Sequence, residues 1–170
     1  ILDDFSRYIL AWRLSTTMAA TDVQDTLQIA LDKTGIHHIQ VKHRPRLLSD
    51  NGPAFIADAL RDYLKPYQMD HIHGRPLHPQ TQGKIERYHR SMKSVVKLNT
   101  FFFPWELDRA VADFVVYYNT QRYHESLDNL TPEDVYLGRK EEVLTQREFI
   151  KHQTLQQRRA THQQVVMQAF

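Results

Sequence analysis

Asp50 and Glu86 are the residues whose type and spacing could do chemistry. Asp50 stands in Leu-Leu-Ser-Asp-Asn-Gly-Pro and Glu86 in His-Pro-Gln-Thr-Gln-Gly-Lys-Ile-Glu-Arg, with thirty-five residues between them. Carboxylates brought from separate elements to one point suit a divalent metal, because Mg²⁺ takes hard oxygen ligands and shares them with substrate phosphates. A cationic stretch accompanies the second acid. Between Gln80 and Lys97 the chain carries Lys84, Arg87, Arg90, Lys93 and Lys97, against Glu86 alone. Glu86, Arg90, Lys93 and Lys97 follow i, i+4, i+7, i+11 and so share one helix face. Such local concentration of cations is the footprint of a phosphate backbone.

Neighbouring residues fill out this candidate surface. Gln80, Thr81 and Gln82 offer amide and hydroxyl groups to bases or phosphates. Gly83 is either a flexible joint or a place where backbone approaches a ligand closely, and Asn51 and Gly52 shape the turn at Asp50. Blander roles exist for each: Asp50 as a turn or cap residue, Glu86 as an exposed acid pairing with Arg90, the loop as a polar connector. Ten histidines invite a zinc site, with His71, His73, His37, His38 and His78 as candidates. Without cysteine or an H-E-x-x-H helix, solvent-exposed or strand-edge histidines are the better expectation. Phe101 to Phe103, Trp105, Tyr117 and Tyr118 are expected to be helix-packing core rather than a base-stacking platform.

The elements that must position these groups follow from periodicity. Residues 1–3 and 7–15 are rich in β-formers around Asp-Asp-Phe-Ser, which predicts a hairpin. Val23, Leu27, Ala30 and Leu31 recur at helical spacing over 21–33, with Thr21 or Asp22 to cap the start and Gly35 the end. Residues 45–49 predict a short buried strand ending at Asp50, 54–64 a helix halted before Pro66, and 69–73 a returning strand. Strand, helix, strand favours parallel pairing in an α/β sheet, where ligands gather beyond the carboxyl ends of strands. A polar loop with Pro76 and Pro79 leads to a long helix over about 81–99, whose stripe of Ile85, Tyr88, Met92 and Val95 or Val96 can pack on the sheet. Pro104 opens another helix ending near Gln121, and Thr131-Pro132-Glu133 gives the start of a short helix through Leu137. Residues 141–168 are Gln- and Arg-rich and predict a helical tail with little core of its own.

At 170 residues, 41% hydrophobic and 25% charged, the chain reads as one soluble globular domain with no disorder signature and no apolar membrane span. The absence of cysteine excludes a disulfide framework and a thiolate zinc site, and is compatible with a reducing compartment. A net charge of +2 does not by itself indicate nucleic acid. A strand already running at Ile1 reads as the start of a fragment.

The strings Leu-Asp-Asp-Phe-Ser-Arg-Tyr-Ile, Leu-Ser-Asp-Asn-Gly-Pro-Ala-Phe and His-Pro-Gln-Thr-Gln-Gly-Lys-Ile-Glu-Arg-Tyr-His-Arg resemble the catalytic core of retroviral-type integrases. So do Tyr-Asn-Thr-Gln-Arg-Tyr-His-Glu-Ser-Leu and Thr-Pro-Glu-Asp-Val-Tyr, and the nearest likeness is to bacterial insertion-sequence transposases of the DDE class. The resemblance covers about residues 1–138 in the family's order, leaving 139–170 as the helical tail. It implies an α/β, ribonuclease H-like fold, a mixed sheet flanked by helices. It implies Asp50 as the second and Glu86 as the third of three metal-binding catalytic acids, with Arg90 and Lys93 facing DNA. Asn119, Arg122 and His124 fall in a family motif whose role is structural or DNA-proximal. The family's first Asp lies before the Asp-Asp-Phe-Ser-Arg turn, so the first strand and first acid are expected to precede Ile1, with Asp3 and Asp4 serving turn chemistry. The function implied is transposition or integration: two Mg²⁺ or Mn²⁺ ions, phosphodiester cleavage, then strand transfer to target DNA, by a homo-oligomer on DNA, in the cytoplasm at the nucleoid, with no membrane. Two alternatives stand beside it: an inactive remnant that binds DNA or partner subunits, and a ribonuclease H-like nuclease that cuts without joining.

Overall fold

The computed structural model describes residues 1–39, 44–74 and 83–168. Its elements in chain order are helix α1 (Ala20–Thr34), strand β1 (Leu47–Ser49), helices α2 (Pro53–Ile56) and α3 (Asp58–Leu64), strand β2 (His71–His73), and helices α4 (Gly83–Val96), α5 (Pro104–Thr120), α6 (Pro132–Tyr136) and α7 (Lys140–Gln168). The two strands pair in parallel, Leu47 against His71, Leu48 against Ile72 and Ser49 against His73, with α2 and α3 forming the crossover. Among the described residues no helix is long and apolar enough to cross a membrane.

The expected hairpin reduces to one antiparallel bridge, Leu2 to Ile9. Asp3 N–H donates to Tyr8 O (2.8 Å) and Leu10 N–H to Ile1 O (2.9 Å). Ile9's own N–H and C=O point the other way, where Asn119 takes both. Its Oδ1 accepts from Ile9 N (2.9 Å) and its Nδ2 donates to Ile9 O (3.1 Å), all of it buried. A side-chain amide thus completes the pairing that a further strand would have made, because buried backbone groups need partners.

The N-cap of helix α1 is Ala19, two residues before the nearer of the two expected caps, Thr21. Asp22 serves it from within the first turn, its Oδ2 accepting from Ala19 N (3.0 Å), and Gly35 closes it in the left-handed region at φ 61°. The helix expected over 54–64 is broken at Ala57, whose backbone is extended (ψ 136°). An unbroken helix would set Phe55 well over a right angle from Leu60, at about 100° per residue; the break lets Phe55, Leu60 and Leu64 join one cluster with Leu27. β1 is less enclosed than expected: Ser49 is buried but Leu48 is exposed.

The larger cluster joins Ile9, Tyr88, Val96, Val111, Phe114, Val115 and Tyr118, so the apolar stripe of α4 packs on α5 and the first hairpin rather than on the two-stranded sheet. Tyr88 and, of the two valines, Val96 are the buried residues of that stripe; Val95 is exposed. The aromatic expectation holds for Phe101 and Tyr118 and fails for its neighbours. Phe102 is 81% exposed, and Phe103 and Trp105 stack on each other at the surface, centroids 4.3 Å apart. Phe102 and Phe103 precede α5, and Trp105 stands in its first turn away from the inward positions Leu107, Val111, Phe114, Val115 and Tyr118. A third cluster, Leu127, Leu130 and Val135, receives Val143 and Leu144 from the first turn of α7. A reciprocal cap starts α6: Asp134 N–H donates to Thr131 Oγ1 (3.2 Å) and Thr131 Oγ1 donates to Asp134 Oδ2 (2.7 Å).

Candidate active site

Asp50 lies directly beyond the carboxyl end of β1, exposed to solvent. Its Oδ1 accepts from the N–H of Gly52 (2.8 Å), a local bond typical of an Asx turn. Among the described residues its Oδ2 takes no hydrogen bond and the carboxylate has no cation. Gly52 matters here for space: a Cβ added to it would stand 3.0 Å from Asp50 Oδ1. Asn51 ties the turn to the neighbouring strand, its Nδ2 donating to Gly74 O (2.9 Å), and Gly74 N–H donates to Ser49 O (2.8 Å). Beneath, buried Ser49 donates its hydroxyl to Asp50 O (2.8 Å) and lies 2.8 Å from His71 Nε2. Burial and the adjacent His73, whose ring is 4.1 Å away, hold His71 below the usual imidazole range. A cavity of about 330 Å³ opens beside β2, lined by Phe55, Asp58, Arg61, Met69, His71 and His73 but not by Asp50.

Glu86 sits in the first turn of α4, exposed, with Arg90, Lys93 and Lys97 exposed along the same face or just past the helix end. Among the described residues Glu86 forms no ion pair, so the i, i+4 pairing with Arg90 is not made. No hydrogen bond or ion pair among the described residues joins it to the Asp50 turn. Gln80, Thr81 and Gln82 lie outside the described residues, as do His78 and the two loop prolines. A Cβ on Gly83 would meet nothing within 4 Å. Lys84, placed with the DNA-facing cations by its sequence neighbours, is held elsewhere: its Nζ donates to Asp4 Oδ2 (2.6 Å) and Asp4 O (2.9 Å). Arg87 is exposed and unpaired among the described residues.

The acids of the first turn are occupied. Asp3 Oδ2 accepts from both the N–H (2.7 Å) and the hydroxyl (2.6 Å) of Ser6, while Asp4 is shared by Lys84 and Arg7. Asn119 is structural, through Ile9. The Asp4–Lys84 and Asn119–Ile9 links escaped sequence reasoning, since no local pattern signals pairs eighty and more residues apart. Among the described residues, no group of three or more His, Cys, Asp or Glu side chains could hold a metal.

Two models of the integrase core domain match the chain, over residues 1–79 and 67–132, and together they span most of it. The chain belongs to the integrase core family. This integrase core is 30% identical over 108 residues to the Pol polyprotein of Ovine maedi visna related virus (strain South Africa), a match covering 64% of this chain and 10% of the polyprotein. The Gag-Pro-Pol polyprotein of Mason-Pfizer monkey virus is 30% identical over 97 residues, 56% of this chain and 5% of its own length. The chain thus spans about a tenth or less of the curated relatives it matches. Among solved structures, the catalytic core domain of BIV integrase superposes with a TM-score of 0.53 at 24% identity, over 78% of this chain and 80% of that one. The HTLV-2 integrase catalytic core domain in complex with magnesium, in its trimeric form, gives 0.55 at 18%, over 78% and 79%. The fold of this integrase core is therefore the ribonuclease H-like one.

Proposed function

We propose that this chain is the catalytic core of a DDE polynucleotidyl transferase of the insertion-sequence type, which cuts phosphodiester bonds at the ends of a DNA element and joins them to target DNA. The carboxylate of Asp50 carries this reading: in a protein of the integrase core family it stands exposed at a strand's carboxyl end, with no cation paired to it among the described residues.

Asp50 and Glu86 are the residues that would hold divalent metal ions, two Mg²⁺ or Mn²⁺ in the intact protein. The donor set fits: both are hard oxygen ligands, both are exposed, and neither is paired among the described residues. When bound, such ions supply Lewis-acid stabilisation of the charge that builds on the phosphoryl oxygens. The chain's own residues do the rest. Gly52 N–H fixes one oxygen of Asp50 and leaves the other without a hydrogen bond among the described residues, and Asn51 anchors that turn to Gly74. Arg90, Lys93 and Lys97 grip the DNA backbone beside Glu86, and Gln80, Thr81 and Gln82 add hydrogen bonds to bases or phosphates. Lys84 and Arg87 present charge on another flank of the helix. The chain would work on DNA as a homo-oligomer; the dimeric and trimeric forms of the HTLV-2 core domain support the oligomer.

The test is a strand-transfer assay on a version extended upstream of Ile1, using labelled element ends and a plasmid target. Cleavage and joining should require Mg²⁺ and stop in chelator. Cleavage that persists in chelator would overturn the metal-dependent reading, and cutting without joining of a pre-cut end would make the protein a nuclease.

A further inference from the structure

Four cations meet where the first turn, the start of α4 and the end of α5 come together. Lys84 Nζ lies 2.6 Å from Asp4 Oδ2, which docks the head of α4 on the hairpin turn. Arg7 approaches the same carboxylate at 3.9 Å and also donates to Asp4 O, with its side chain only 17% exposed. Arg87 follows Lys84 by one helical turn, and its neighbour Tyr88 meets Tyr118 edge-on, 5.0 Å between centroids. Arg122 lies over the Tyr118 ring, 5.8 Å from its centroid.

The charges converge on one pair of rings. His124 packs edge-on against Tyr118 at 4.9 Å, and its ring is pushed down to about 4, first by burial and then by Arg122, Arg7 and Arg87. Against these three arginines and Lys84 stands Asp4, already engaged by Lys84 and Arg7. Among the described residues neither Arg87 nor Arg122 has an acidic partner. At about 100° per residue, Lys84 and Arg87 lie roughly a third of a turn around α4 from the face of Glu86, Arg90 and Lys93.

We propose that Arg7, Arg87 and Arg122 form a second phosphodiester-binding site, which holds a second DNA segment while the first lies along Arg90, Lys93 and Lys97. Guanidinium groups are the side chains best matched to phosphate oxygens, and cations gathered around one engaged acid and one aromatic pair suit an anion. The inference rests on the DNA-joining function: joining brings two duplexes to one set of acids, and two separated basic flanks of one helix can hold both.

Fluorescence anisotropy of this chain, with a linear duplex and with a three-way branched duplex that imitates a joined product, tests it between about 50 and 200 mM salt. Replacing Arg87 and Arg122 together by Gln should weaken binding of branched DNA about tenfold and flatten its salt slope by about two contacts, with a smaller effect on the linear duplex. Arg122→Lys should restore most of the loss. Arg90→Gln with Lys93→Gln should weaken both DNAs. Should Arg122→Gln fail to fold, Arg87→Gln alone is exposed enough to carry the test and should flatten the slope by about one. Branched-DNA affinity and slope equal to the parent's in the Arg87 variant would overturn the second site while leaving the joining function intact if the Arg90 variant still loses binding. A parent that binds neither DNA would overturn both.

Discussion

Two turns in this molecule carry exposed aspartates, and they are built to opposite ends. At Asp3-Asp4-Phe5-Ser6 every charge is consumed: Ser6 donates twice to Asp3, and Lys84 and Arg7 share Asp4. At Asp50-Asn51-Gly52 one oxygen is fixed by a backbone N–H and the carboxylate has no cation among the described residues. Asp-rich sequence is common to both. What separates a structural acid from a candidate ligand is whether the surroundings have already spent its charge, and that is a property of the fold rather than of the motif.

The sharpest way to break this comparison is to neutralise each acid in turn. Asp50→Asn should lower strand transfer in the extended protein by about a thousandfold or more, the loss of several kcal/mol of transition-state stabilisation, while leaving the melting temperature nearly unchanged. A variant that melts much earlier than its parent would make Asp50 a structural acid like Asp3. On the hairpin side the cost falls on stability. Asn119→Ala strands the buried N–H and C=O of Ile9 and should cost about 3 kcal/mol in urea unfolding; a change under about 1 kcal/mol would mean that water replaces the amide. Asp3→Asn removes the charged acceptor of two hydrogen bonds and should cost about 2 kcal/mol, with DNA joining intact in the refolded variant.

Smaller effects refine the picture. His124 is held to about 4, below its ordinary 6.5, so the unfolded chain binds the extra proton more readily. Its contribution to stability should therefore be level above about pH 7 and fall as pH drops from 6.5 towards 4. His124→Gln should reduce that fall when melting temperatures are compared at the two ends, and His71 and His89, also held low by burial, should leave a residue of it. An unchanged pH slope would remove His124 from the account. Smallest of all is Asp4→Asn, whose exposed pair with Lys84 should be worth under about 1 kcal/mol and should vanish from the measurement at high salt.

Much of the fold was legible in local chemistry. Gly35 closes α1 in the left-handed conformation that favours glycine, Thr131-Pro132 starts α6 with a reciprocal cap, and the parallel pairing of β1 and β2 follows the strand, helix, strand pattern. These succeeded because each is decided within a few residues. Ala57 was missed because nothing in its own sequence breaks a helix; the break answers to Phe55 and its partners in the core. The exposed stack of Phe103 and Trp105 was missed because composition cannot say that the cap and first turn of α5 stand clear of the core. For the candidate site, the types and local elements of Asp50 and Glu86 could be read directly. The engagement of Lys84 by Asp4 could not, and neither could the link from Asn51 to Gly74, since both depend on how distant segments meet.

The Asn119 amide has one more consequence. Hairpin strands left with bare outward backbone groups recruit strands from other molecules, the usual route to edge-to-edge aggregation. By saturating Ile9 from a helix end, this protein closes that flank with a single side chain. Loss of the amide should therefore show itself not only as earlier unfolding but as a turbid, thioflavin-reactive sample at temperatures where the parent stays clear.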